Sequence, residues 1–185
     1  MSFGFLLLAF VAVVNPARVR LGAPEDEGTG RVRAGLVALG SLAAFAVSAA
    51  LVGPAAEILA ALDVSPESFR LATGLVLAFE GAWTFTRPSP SPGPALPGRL
   101  GALVPVAFPL LVTPGLVALA LGAGADTSTA EALGAVAAAL VLASASATVQ
   151  RSPLAAVALS AAARLFAAAE IVAGVVIAAE GVRDV

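Results

Sequence analysis

Few side chains of this sequence can do chemistry, and the most unusual of them stand in apolar surroundings. Glu80 and Glu170 are carboxylates within long apolar stretches, and Asn15 is the strongly polar side chain of the first such stretch. Ionisable groups are costly in these surroundings and typically mark the paths of ions or substrates. An amide oxygen can ligate an amino group or a cation. We therefore predict that Glu80 and Glu170 couple a proton or an ion to the binding of a substrate.

Two proline-containing breaks interrupt the apolar stretches, one at residues 15–16 and one at residues 113–115. A break frees backbone N–H and C=O groups, which need a partner when they lie in an apolar medium. A polar substrate or an ion can be that partner. The sequence thus predicts a substrate-binding site lined by the residues of both breaks: Asn15, Pro16, Thr113, Pro114 and Gly115.

Each of these residues also has a structural interpretation, which the sequence leaves open. Asn15 is typical of a residue that caps a helix break, and neighbouring helices can satisfy the groups that a proline frees. Glu80 could pair with an arginine such as Arg87. Arg18 and Arg20 could clamp a substrate carboxylate, but arginines beyond a break are more typical of anchors that reach the lipid headgroups.

The inventory of side chains excludes most catalytic chemistry. The sequence has no Cys, no His and no Tyr, and all ten basic residues are arginines. Disulfides, zinc sites built on Cys or His, Ser-His and Cys-His catalytic units and Schiff bases are therefore excluded. The four aspartates fall in predicted loops or in the tail, so a paired aspartyl site within the membrane is missing. We expect no enzyme, no metal and no cofactor, apart from coupling to H⁺ or Na⁺.

Composition indicates an integral membrane protein. The 185 residues are 59% hydrophobic and 12% charged, with a mean hydropathy of +1.00. An ordinary soluble domain is about a quarter charged, so this chain cannot cover itself with a polar surface. The net charge of −2 comes with no basic block, which argues against nucleic acid as a partner. The expected partners are the lipid bilayer, a small-molecule substrate and, in an oligomer, further copies of the chain.

Long uncharged runs favour helices over a barrel, because a barrel would alternate apolar and polar residues. Six apolar segments predict an all-α membrane protein with six transmembrane helices, of which the first and fourth are broken. The segments are Phe3–Val14, Ala34–Ala56, Leu71–Thr86, Leu100–Leu121, Ala132–Gln150 and Leu165–Val182. Residues 1–86 then form a first three-span repeat, 87–99 a Pro-rich cytoplasmic linker, and 100–185 a second three-span repeat.

The two halves resemble each other in the order of their features. Each opens with a broken span, continues with a clean span, and then has a short Ala-rich element next to proline, Pro54–Pro66 or Pro153–Ala163. Each last span carries a Glu-Gly pair, at residues 80–81 and 180–181. Because three spans is an odd number, the second half must insert upside down. Inverted repeats with breaks at matching positions indicate the site of a secondary transporter.

The arginines predict the orientation, since they are enriched in short cytoplasmic loops. Eight of them fall in loops one, three and five, against two on the opposite side. Both termini are therefore predicted to face away from the cytoplasm. The eight are Arg18, Arg20, Arg31, Arg33, Arg87, Arg99, Arg151 and Arg164, and the two are Arg70 and Arg183.

Four segments resemble the MarC family of inner-membrane proteins. Phe5–Pro16 looks like the opening of that family, and Ser68–Trp83 is similar to its Phe-Arg-hydrophobic-Ala-Gly-Gly third span. Val104–Gly115 is similar to its fourth span, which ends in Gly-Pro-Gly, and Ala163–Val182 looks like its sixth. The resemblance implies six spans in inverted three-span repeats in a bacterial inner membrane. It also implies transport of small neutral amino acids such as glycine or alanine.

The leading interpretation is a secondary transporter of small polar solutes, most of all neutral amino acids, that works by alternating access. The alternative is a membrane scaffold or regulatory protein whose helix breaks are structural. The two differ in their response to a ligand, because a transporter gains thermal stability when its substrate binds and a scaffold does not.

Overall fold

The computed structural model describes residues 1–23, 30–89, 98–150 and 152–184. Every regular element in these ranges is helical, which confirms the predicted all-α class. The helices are α1 (Phe3–Val14), α2 (Pro16–Gly22), α3 (Gly30–Val52), α4 (Ala55–Ala61), α5 (Pro66–Thr86), α6 (Pro114–Asp126), α7 (Thr129–Ser146) and α8 (Pro153–Asp184). A short 3₁₀ turn (Gly98–Ala102) and an irregular helix (Leu103–Leu111) precede α6. Most of the predicted 87–99 linker, together with Asp26 and Arg151, lies outside the described residues.

Four segments of the described chain are long and apolar enough to cross a membrane: Phe3–Gly22, Arg31–Val52, Thr129–Ser146 and Pro153–Asp184. Leu100–Leu111 and Pro114–Asp126 would make a fifth if the pair, which is bent by 71°, is one broken span. Helix α5, which contains the predicted third span, is not among them, because charged residues lie along it. The chain is thus a helical protein with four or five candidate spans.

The fourth predicted segment is less regular than its uncharged sequence suggested. Val104 and Phe108 have extended backbone angles inside the Leu103–Leu111 helix, and each directly precedes a proline, Pro105 or Pro109. The proline ring crowds the residue before it and disfavours the helical region there. This part of the chain therefore winds irregularly before it reaches the break.

The two short elements that were predicted to correspond differ in the structure. Helix α4 is separate from α5, because Asp63 adopts a positive φ of 55° and a new helix begins after Ser65. The side chain of Ser65 caps this helix by accepting a hydrogen bond from the Ser68 N–H. The corresponding Pro153–Ala163 stretch is not separate and forms the first turns of the 32-residue α8. No proline or glycine interrupts this Ala-rich stretch, and alanine is the best helix former, so the helix continues.

Helices α5 and α8 make the most extensive helix–helix contact of the described chain. A Cβ on Gly174 would lie 2.6 Å from the backbone nitrogen of Ala78 and from the oxygen of Gly74, and a Cβ on Gly74 would meet the backbone of Gly174 and Ala178. Backbones approach this closely only where side chains are absent, as is common between membrane helices. The glycines therefore allow the backbones of α5 and α8 to pack in direct contact.

Hydrogen bonds and ion pairs define two ends of the helical bundle. At one end, Arg70 of α5 binds Asp126 at the end of α6, at 2.9 and 3.0 Å, and also Asp184 at the end of α8. At the other end, Ser146 Oγ donates to the Pro16 carbonyl and Arg20 Nε donates to the carbonyl of Val149. We call these the Arg70 end and the Pro16 end.

Replacement of Arg70 by Gln should destabilise the bundle by about 2–3 kcal/mol, because the buried carboxylate of Asp126 then loses its charged partner. We expect the thermal unfolding midpoint in detergent to fall by about 5 °C or more. Arg183→Gln, at an exposed arginine of the same end, is the matched control and should change stability by less than about 0.5 kcal/mol. Equal effects of the two variants would contradict the assigned ion pairs.

Candidate functional site

The first break is closed by its own asparagine. Asn15 has a left-handed backbone (φ 47°), which ends α1, and its Oδ1 accepts a hydrogen bond of 3.1 Å from the Arg18 N–H, which starts α2. Its Nδ2 donates to the carbonyl of Ala163 in α8 at 2.9 Å. Only 1% of the residue is exposed. Both polar side-chain atoms of Asn15 thus make hydrogen bonds within the protein, and one of these bonds connects the break to α8.

Substitution of Asn15 tests this double role. Asn15→Ala removes the cap and the buried hydrogen bond and places alanine in the left-handed region, for a total cost of about 3 kcal/mol. Asn15→Gly should cost about 1 kcal/mol less, because glycine adopts a positive φ without strain. Thermal unfolding in detergent should therefore rank the wild type above the Gly variant and the Gly variant above the Ala variant. Equal midpoints for the two variants would contradict the role of the backbone angle.

The second break is closed by residues of two helices. Thr113 Oγ1 accepts a hydrogen bond from the Leu116 N–H at 3.2 Å, which caps α6. The Gly115 N–H donates to Glu80 Oε2 of α5 at 2.6 Å. A Cβ on Gly115 would lie 2.7 Å from that oxygen, so glycine is what lets the carboxylate approach. A carboxylate at a helix N-terminus is also favoured by the helix dipole.

These contacts change what the breaks can offer to a ligand. The sequence predicted unpaired peptide groups at both breaks, and the structure gives several of those groups side-chain partners. Thr113 and Pro114 still line a cavity, whereas Asn15 and Pro16 are buried beside α7 and α8. Direct contacts to a ligand must therefore come mainly from side chains.

A cavity of about 800 Å³ lies next to the second break and reaches the start of α2. Thr113 and Pro114 line it from α6, Glu80 from α5 and Arg18 from α2. The remaining lining residues are Leu75, Val76, Phe79, Trp83, Thr84 and Pro109. None of these six residues was predicted from the sequence to belong to the site. Their signal was weak: Leu75, Phe79 and Trp83 recur every four residues along one stripe of α5, a spacing that any lipid-facing helix shows.

The two predicted coupling residues lie at one level of the bundle. Gly81 of α5 packs against Ala167 and Ile171 of α8, and these two residues bracket Glu170 in the sequence. Glu80 and Glu170 are therefore neighbours across the antiparallel helix pair. The two carboxylates that were predicted as coupling residues thus lie close together, although they belong to different helices.

Glu170 is the more enclosed of the two carboxylates. It is 2% exposed, and its Oε1 has no hydrogen-bond partner. It is close enough to interact with the charges of Glu80 and Arg18. Glu80 and Arg18 line the cavity, whereas Glu170 is buried and interacts electrostatically with both of them. Two carboxylates near each other repel, so a positive charge beside them is favoured.

Two buried donors near the cavity are unused. Arg18 Nε and Thr84 Oγ1 both lack a hydrogen-bond partner, although both atoms are shielded from the surface. Both residues line the cavity. A buried polar group without a partner costs free energy, so a ligand or water that supplies an acceptor there is favoured.

The groups that line the cavity are of the kinds that bind a small polar ligand. The cavity lining combines one guanidinium, one carboxylate and two threonine hydroxyls with apolar and aromatic walls, and the buried carboxylate of Glu170 interacts with the two charged groups. Within the described residues, no group of three or more Asp or Glu side chains is placed to hold a metal ion. Comparison with known protein families, curated proteins and solved structures finds no match to this chain.

Proposed function

We propose that this protein is a secondary transporter that carries small zwitterionic solutes, in the first place neutral amino acids, across a bacterial inner membrane by alternating access. The observation that carries the proposal is the cavity beside the second break, in which Arg18 and Glu80 present opposite charges. A zwitterion has the complementary pair, since its carboxylate suits a guanidinium and its ammonium group suits a carboxylate. We also propose, from the sequence resemblance, that the chain is related to the MarC family.

The proposed transporter has six spans, with α5 as the third and the bent pair as the fourth. A span that carries Glu80 towards the bundle interior is consistent with a transport path, because intramembrane charges face other helices or a cavity. The positions of the helix ends support six spans. Arg70, Asp126 and Asp184, which lie at the start of the third span and the ends of the fourth and sixth, meet at one end of the bundle.

The spans form two inverted three-helix repeats in this proposal, and the contacts of α5 and α8 support them. Gly81 packs on Ala167 and Ile171, whereas Gly181 packs on Glu67 and Leu71, so each contact recurs with both partners shifted by 100 residues and exchanged between helices. Residues 71–81 (LATGLVLAFEG) and 171–181 (IVAGVVIAAEG) are also alike in sequence. An antiparallel pair with reciprocal contacts is what a two-fold axis in the membrane plane produces.

The orientation follows from the arginines. Phe3 lies near Gly134 at the start of α7, which directly follows the Arg70 end. The N-terminus and Asp184 therefore share one end of the bundle. We propose that this end faces away from the cytoplasm, because loops one, three and five hold most of the arginines.

In the proposed mechanism, the substrate carboxylate binds Arg18 and the ammonium group binds Glu80. Glu170, next to Glu80, takes up the H⁺ or Na⁺ that couples transport to an ion gradient. Asn15, Pro16 and Gly115 act by shaping the two breaks, and Thr113 and Pro114 border the ligand. The two halves then rock about the site and expose it to each side in turn.

The direct test is the uptake and efflux of labelled alanine and labelled leucine in proteoliposomes under a H⁺ gradient and under a Na⁺ gradient. We expect wild-type flux of a neutral amino acid under one of the gradients and reduced flux for Glu80→Gln and Asn15→Ala. Arg183→Gln serves as the control that keeps wild-type flux. If no neutral amino acid binds or moves under either gradient, the proposal fails.

A scaffold or regulatory role is the second candidate, and one observation favours it: both breaks are capped by internal side chains. A scaffold needs no ligand in the cavity. It predicts that no amino acid raises the thermal unfolding midpoint in detergent, whereas a transporter is stabilised by its substrate.

A further inference from the structure

The size of the cavity bears on which amino acid the proposed transporter carries, and this inference rests on the proposed function. A volume of about 800 Å³ corresponds to roughly 25 water molecules. It falls within the range of about 300–1,000 Å³ that is typical of pockets for ligands of drug size. Glycine or alanine would occupy a small part of it.

The walls of the cavity are apolar and aromatic. Leu75, Phe79 and Trp83 follow one stripe of α5, and Pro109 and Pro114 face the same space with rings that offer no N–H donor. The stripe is exposed along the outer face of α5, where Phe79 is 73% exposed, so the cavity opens sideways from the helical bundle. A ligand with a bulky apolar side chain would bury these surfaces, whereas alanine would leave them uncovered.

The polar end of the cavity fits the head of an amino acid. Arg18 Nε and Thr84 Oγ1 are donors without a partner, and they suit the two oxygens of a carboxylate. Glu80 lines the same space and suits an ammonium group. The polar groups and the apolar stripe together describe a zwitterion with a large apolar side chain.

We propose that the substrate is a neutral amino acid with a branched or aromatic side chain, such as leucine, rather than glycine or alanine. Thr84 and Arg18 bind its carboxylate, Glu80 binds its ammonium group, and Phe79 and Trp83 contact its side chain. Thr84 selects for the carboxylate and Phe79 for the apolar side chain. Each added methylene in such a pocket contributes about tenfold or more to discrimination, so leucine should bind at least tenfold more tightly than alanine.

Fluorescence of Trp83 tests this proposal directly. Trp83 is the single tryptophan of a chain without tyrosine, and it lines the cavity. Full-length protein in detergent is titrated with L-leucine, L-alanine and glycine while the tryptophan emission is recorded. We expect saturable changes with a leucine Kd at least tenfold below the alanine Kd, and the same order in proteoliposome uptake.

Variants separate the two ends of the ligand. Phe79→Ala should weaken leucine binding by about tenfold and leave alanine binding nearly unchanged, because only the larger side chain reaches that ring. Thr84→Val, which keeps the shape and removes the hydroxyl, should weaken both amino acids by about fivefold or more. Phe85→Ala is the matched control, since Phe85 is an exposed α5 residue outside the cavity lining and should change neither Kd.

The outcomes distinguish this inference from the function on which it rests. If alanine or glycine binds as tightly as leucine and is transported, the inference is wrong and the transporter proposal stands. If short-chain phosphatidylcholine changes the emission and no amino acid does, the cavity holds lipid and the inference is wrong. If no amino acid binds or moves, both fail together.

Discussion

Glu80→Gln should lower the rate of amino acid transport by about 10- to 100-fold, the largest functional effect that we expect from one isosteric change. The carboxylate of Glu80 accepts the Gly115 N–H, lines the cavity and faces Glu170 and Arg18. Glutamine keeps the hydrogen bond but removes the charge that holds the ammonium group in the proposed mechanism. Hydrogen bonds to charged groups contribute about 1.5–3 kcal/mol, which corresponds to this range of rates.

The measurement is the initial rate of uptake of labelled leucine and alanine in proteoliposomes, together with the Kd from Trp83 fluorescence. Glu57→Gln, at an exposed glutamate of α4, is the control and should transport like the wild type. Thermal unfolding in detergent verifies that Glu80→Gln is folded. Wild-type flux in a folded Glu80→Gln protein would show that this carboxylate takes no part in transport.

Gly174→Val should destabilise the fold by more than about 4 kcal/mol, the largest structural effect that we expect. A Cβ at Gly174 would lie 2.6 Å from backbone atoms of Gly74 and Ala78, so valine must force α5 and α8 apart. Overpacking against a backbone cannot be relieved by turning a side chain. We expect the unfolding midpoint in detergent to fall by about 10 °C or more, or the protein to aggregate.

Two further variants serve as comparisons for Gly174→Val. Gly74→Val should be as harmful as Gly174→Val, since the contacts of the two glycines are reciprocal. Gly35→Val in α3 should be tolerated, because a Cβ there meets nothing within 4 Å. A Gly174→Val protein as stable as Gly35→Val would mean that α5 and α8 are not packed as described.

Local chemistry accounts for the features that the sequence predicted well. Proline lacks an N–H and crowds the preceding residue, so the helix boundaries at Asn15-Pro16 and Thr113-Pro114 could be found from those dipeptides alone. The helical class could be predicted from the long uncharged runs, because a barrel would alternate apolar and polar residues. The prediction of a separate Pro153–Ala163 element was wrong, because proline at the start of a helix does not end it ten residues later.

Contacts between distant residues account for what the sequence did not reveal. The partner of Glu80 is a backbone N–H 35 residues away, and no side chain marks that N–H in the sequence. The Nδ2 of Asn15 reaches a carbonyl 148 residues away. Thr84 and Phe79 look like ordinary residues of an apolar helix, and they line a cavity only because α5 packs beside α6 and because Arg18 of α2 borders the same space.

Side-specific labelling at Val76 tests the central claim, alternating access to the cavity, most directly. The chain has no cysteine, so Val76→Cys introduces a single thiol at the cavity wall, at a residue with no assigned role in binding, and Thr86→Cys provides an exposed control at the end of α5. A membrane-impermeant thiol reagent is applied to oriented vesicles from each side, with and without leucine. The account predicts that Val76→Cys reacts from both sides, that leucine protects it, and that Thr86→Cys reacts from one side only. Reaction of Val76→Cys from a single side, unaffected by any amino acid, would contradict it.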